Sequence, residues 1–110
     1  MLIIRDAQFR AFEADMRRTF EDRMVLALAL PDESAARRLI RYGIEKCLGY
    51  GIDIEADIQL FLELMARHSP DFELEPDMSW ALELLRQPDL PGSAKARTLF
   101  KRLNRSGSLA

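Results

Sequence analysis

Leu39-Ile40-Arg41-Tyr42-Gly43-Ile44-Glu45-Lys46-Cys47-Leu48 is the stretch on which the fold class turns. Its residues Leu39, Ile40, Gly43, Ile44, Cys47 and Leu48 fall at intervals that place them on one stripe of an α-helix. The helix has readable ends. Asp32, Glu33 and Ser34 supply acidic, cap-forming residues ahead of it, and Gly49 to Gly51 can take the left-handed conformation that closes it.

The same period recurs on both sides. Upstream, Phe9, Phe12, Met16, Phe20, Met24, Ala27 and Leu28 predict a helix from about Asp6, its cap, to Leu30, with Pro31 ending it. Downstream, Asp53 is expected to cap a third helix in which Ile54, Ile58, Phe61, Leu62 and Met65 face inward, and Ser69-Pro70 breaks it just beyond His68. After a loop from Asp71 to Asp77, a fourth helix is expected from about Ser79 to Gln87, with Trp80, Ala81, Leu84 and Leu85 apolar. A fifth runs from about Ala94 to Asn104, capped by Ser93, with Ala96, Leu99, Phe100 and Leu103 on its apolar face. Beyond Leu2 to Ile4 no strand pattern is convincing, and no repeat is visible. The expectation is an all-α chain, one small bundle of about five helices over residues 1–104, with residues 105–110 a fraying tail.

A chain of 110 residues is the size of one core. With 48% hydrophobic and 31% charged residues it is neither a disordered acidic tail nor a strongly basic nucleic-acid binder. The net charge of −2 is a cancellation: residues 1–52 carry +1, residues 53–85 carry −8 and residues 86–110 carry +5. Such a chain can complement itself within its fold or offer faces of opposite sign to partners. The single Cys47 excludes an intramolecular disulfide, and a reducing, cytoplasmic setting fits it best. The longest apolar run, Met24 to Leu30, is far below the roughly 18–20 residues that span a bilayer, so no membrane partner is expected.

Each candidate for chemistry has a plainer structural explanation. His68, the only histidine, sits where a cation favours a helix C-terminus. Cys47 lies on the apolar stripe and is expected to be a core thiol. The acids of Asp71-Phe-Glu-Leu-Glu-Pro-Asp77 alternate as in a calcium loop, but Pro76 and Leu82 stand where that loop needs glycine and a bidentate acid. An extended segment turning Phe72, Leu74 and Met78 inward and its acids to water explains the alternation instead. Gly43 costs a helix about 1 kcal/mol, which implies a close crossing with another helix or a large ring, Trp80 being available. The basic residues Lys95, Arg97, Lys101, Arg102 and Arg105 read as a solvated or partner-facing helix side, without the aromatic interleaving of a nucleic-acid module. No catalytic, cofactor-binding or metal-binding residue is expected. Met24-Val-Leu-Ala-Leu-Ala-Leu30 is apolar all round its helix, so either this end is central, the favoured expectation, or part of it is exposed as a contact patch.

From Phe20 to Leu85 the chain resembles a family of small helical accessory proteins of bacterial type VI secretion clusters, encoded near PAAR spike-tip proteins, DUF4123-type adaptors and toxic effectors. The resemblance rests on Phe20-Glu-Asp-Arg-Met24, Gly43-Ile-Glu45, Tyr50-Gly-Ile52, Asp57-Ile58, Phe61-Leu-Glu-Leu-Met65, Asp71-Phe72, Pro76, Trp80-Ala81 and Leu84-Leu85. It departs from the family at the more apolar Leu26 to Leu30 and at His68-Ser69-Pro70, where a glycine-containing turn is expected. The resemblance implies a cytosolic adaptor or co-chaperone that brings an effector and a larger adaptor to the secretion spike, with no catalytic residues. The residues then suggest its contacts: Val25, Leu26 and Leu28 for contact energy, and Glu73, Glu75 and Asp77 with Lys101 and Arg102 for orientation. The alternative is an immunity protein that inhibits a toxin through its acidic surface.

Overall fold

The structure, a computed structural model, describes residues 16–109, with side chains through residue 104. The Asp6 cap, Phe9, Phe12, the Leu2 to Ile4 strand and the side chain of Arg105 lie outside the described residues. The protein is a small all-α bundle. Helix α1 is described over residues 16–28; α2 is Glu33–Gly49, α3 Glu55–Arg67, α4 Ser79–Leu85 and α5 Gly92–Leu109. Two 3-10 turns, Phe72–Leu74 and Pro76–Met78, join α3 to α4.

Helix α3 is central and packs on both α2 and α5, while α4 lies against α5 and the 3-10 turns. Ile40, Cys47, Phe61, Leu62, Leu64, Met65, Leu85 and Leu99 lose almost all contact with solvent. Each large apolar side chain buried in this way contributes about 1.5–3 kcal/mol. Phe61 and Phe72 meet at the heart of the core, their ring centroids 5.4 Å apart at a tilted angle.

Gly43 fixes how closely α2 and α3 approach. A Cβ at this position would overlap Leu62 Cδ2 and crowd Met65 Sδ, so the crossing partner is helix α3, not the ring of Trp80. The period that identified the stripe could not say which element fills its gap. A second close approach lies at the start of α5, where a Cβ on Gly92 would run into the backbone of Gly51 and Ile52.

Helix ends follow local chemistry, with several shifts from the sequence reading. Asp32 caps α2 by accepting from the Ser34 amide at 3.0 Å. At α3 the capping position falls to Ile54, which provides no side-chain bond, and Asp53 is left exposed outside the helix. Standing ahead of the first turn, Ile54 is off the apolar stripe and 54% exposed. Ser93 does not cap α5, which already begins at Gly92; its hydroxyl donates to buried Asp57 on α3 at 2.5 Å. Helix α5 continues to Leu109, beyond Asn104, and α4 stops at Leu85, short of Gln87. Helix α1 ends at residue 28, two residues before Leu30, and Ala29 takes a positive φ of 49°.

Candidate interaction surfaces

The C-terminal end of α1 is held by a charge clamp. The Glu21 carboxylate, on a residue only 8% exposed, accepts from Arg37 Nη1 at 2.6 Å and from Arg41 Nε at 2.7 Å, tying α1 to α2. The hydrogen bond from Arg41, reinforced by Arg37, holds its pKa below the ordinary carboxylate value although burial pulls the other way. One turn on, Met24 is buried and Val25 and Leu28 rest half-buried on the core. Leu26 points away from it and is 80% exposed, the most exposed of the large apolar side chains described. Burial of the whole Met24 to Leu30 run is therefore corrected. Helix α1 lies on one side of the bundle, which covers only the faces carrying Phe20, Met24 and Leu28.

The acidic segment departs further from expectation. It forms two 3-10 turns, not an extended run, so alternation fails: Phe72 and Glu73 go inside and Leu74 is 54% exposed. Glu73 has no exposed surface and accepts from Lys46 Nζ at 2.9 Å and from the Tyr50 hydroxyl at 2.7 Å. It is consequently removed from the residues available to a partner. Lys46 also donates to Asp71 and to the Pro70 carbonyl, both at 2.8 Å, and Tyr42 donates its hydroxyl to Asp71. These bonds keep the Asp71 pKa below the usual range, the Lys46 bond being the larger influence. Burial alone would lower the Lys46 pKa, yet its bonds to Asp71 and Glu73 outweigh that and raise it. Tyr50 is raised by burial first and by its bond to Glu73 second. Glu75 and Asp77 remain exposed, Glu75 accepting from Ser69 Oγ at 3.0 Å.

On α5 the basic residues divide. Lys95 is buried and donates to the Tyr50 carbonyl at 2.8 Å, so it belongs to the packing between α5 and the α2–α3 turn and not to a solvated face. Arg97, Lys101 and Arg102 are exposed. Arg102 lies 4.2 Å from the ring centroid of half-buried Trp80, an aromatic neighbour that sequence spacing did not supply because it comes from α4.

The nucleophile candidates stay apart. Cys47 is fully buried, and burial, followed by the nearby Glu73 charge, pushes its thiol up to about 12. His68 is exposed at the end of α3, with its ring 6.2 Å from that of Phe72. Among the described residues no cluster of His, Cys, Asp and Glu is arranged to hold a metal ion, and no helix is long and apolar enough to cross a membrane. No family model, curated protein or solved structure matches this chain.

Proposed function

We propose that this chain is a non-enzymatic protein-binding module, an adaptor or co-chaperone of the type VI secretion kind that helps load an effector onto the spike. The observation that carries the reading is Leu26, an 80%-exposed leucine on a helix end where Met24, Val25 and Leu28 are seated on the core. Val25 and Leu28 extend the apolar surface at its edges, and the Glu21 clamp orders the helix before any partner arrives. An apolar residue presented on a rigid helix suits a contact centre, because little conformational freedom is lost on binding. Exposed Glu75 and Asp77 on one segment and Lys101 and Arg102 on another then govern orientation and encounter rate more than affinity.

Co-purification with the products of adjacent genes tests this. Capture of a larger adaptor or an effector, with effector secretion dependent on the chain, is the expected result. Capture of a toxin whose activity is blocked, with secretion unaffected, would overturn the adaptor role in favour of immunity.

A further inference from the structure

Helix α5 contains no Asp or Glu along Gly92–Leu109. Its stripe of Ala96, Leu99 and Leu103 is buried and Lys95 is turned inward, so Arg97 and Lys101 carry the charge of its outer face and Arg102 that of the flank toward Trp80. Among the described residues none of these three is in an ion pair, a state shared by Arg18, Arg38 and Arg86, whereas Arg17, Arg23, Arg37, Arg41 and Lys46 each have a carboxylate partner. A fourth cation joins them from α3: Arg67 donates to Asn104 Oδ1 at 2.6 Å and stands 6.0 Å from the Phe100 ring centroid. Arg102 on Trp80 and Arg67 on Phe100 are thus held by aromatic rings that order a guanidinium without neutralising it.

We infer that this α5 face is the seat of an acidic, helical segment of a protein partner, its carboxylates engaged by Arg97 and Lys101, with Arg102 on the Trp80 side and Arg67 on the Phe100 side flanking them. The inference rests on the protein-binding reading above and adds the chemistry of what is bound. Arg97 and Lys101 are one helical turn apart, a rise of about 6 Å, which matches carboxylates one turn apart on a facing helix. Guanidinium groups already positioned can take a carboxylate through both N–H edges with little further ordering. A nucleic acid is disfavoured because a phosphate backbone needs a broad basic surface, whereas the chain carries −2 overall and −8 along residues 53–85, and a few cations suffice for a short row of carboxylates.

The probe is a fluorescein-labelled alanine-rich helical peptide with glutamates one turn apart, compared with its glutamine counterpart and a short DNA duplex. Binding to the full chain is read by anisotropy and by the emission of Trp80, the only tryptophan. The glutamate peptide is expected to bind, to shift Trp80 emission and to weaken with salt, while the glutamine peptide does not bind. Replacing Arg97→Gln and Lys101→Gln together should weaken it about tenfold, as for two solvent-screened charges. Arg102→Gln should reduce both binding and the Trp80 response. Leu26→Asp should leave peptide binding intact, so failure of the α1 contact and failure of this one are distinguishable. Equal binding of both peptides, unchanged affinity in natively helical Gln variants, or tighter binding of the duplex would overturn the proposal.

Discussion

Lys46 Nζ stands 2.8 Å from the carboxylate of Glu73, a side chain with no exposed surface, and the same ammonium reaches Asp71 at 2.8 Å. With Tyr50 completing the set, these groups pin the first 3-10 turn to α2 and convert part of an acidic loop into core. Removing one member of a buried pair leaves the other charge uncompensated, at a cost of about 3–5 kcal/mol. Lys46→Met should therefore lower stability by about 3 kcal/mol, while the double variant Lys46→Met/Glu73→Leu should recover much of that loss. Urea denaturation of the three chains measures both.

The Gly43 crossing gives a second expectation of opposite sign to helix propensity. Alanine is worth about 1 kcal/mol over glycine inside a free helix. Here its methyl would overlap Leu62, and overpacking costs about 1–3 kcal/mol, so Gly43→Ala is expected to destabilise. Its effect should be smaller in a Leu62→Val background, and thermal melts of the mutant cycle would show the coupling.

Helix periodicity was legible because an amphipathic stripe depends on spacing alone. Thus α2 and the inward residues Ile58, Phe61, Leu62 and Met65 of α3 stand as read. What spacing cannot carry is the partner across the core. Gly43 announced a close approach without naming Leu62, and alternating acids looked alike whether or not one was buried. Lys46 adjoins the apolar stripe of α2, but a lysine at such a border ordinarily carries its ammonium out to water, so spacing did not announce the buried Glu73. The surplus of apolar residues at Met24 to Leu30 was visible, but the face left uncovered was decided by where α1 meets the bundle. At helix ends a one-residue shift moved the capping position from Asp53 to Ile54, a difference that residue type alone does not fix.

Acid should weaken the fold through Glu21 and Asp71. Both carboxyl groups have folded-state pKa values below their unfolded ones, so the unfolded chain takes up more protons as pH falls. Their stabilisation is full above the ordinary carboxylate pKa of about 4 and is lost as pH drops through the depressed values. The urea midpoint should fall along this acid limb, and Glu21→Gln should make the limb shallower.

Cys47 should be inert to thiol reagents in the native state, since it is fully buried and its thiol is pushed up to about 12. Labelling by a disulfide reagent at neutral pH should proceed only as fast as the core opens and should accelerate sharply in urea. Rapid native labelling would show that the α2–α3 core is looser than described.

The decisive measurement concerns Leu26. Because it is 80% exposed, Leu26→Asp should change stability by no more than about 0.5 kcal/mol and leave the helical spectrum intact. In a calorimetric titration against a partner captured by co-purification, the variant should lose at least about tenfold in affinity, equivalent to about 1.4 kcal/mol from an apolar contact centre. Undiminished affinity in a natively folded Leu26→Asp chain would contradict the assignment of the α1 end as the binding surface.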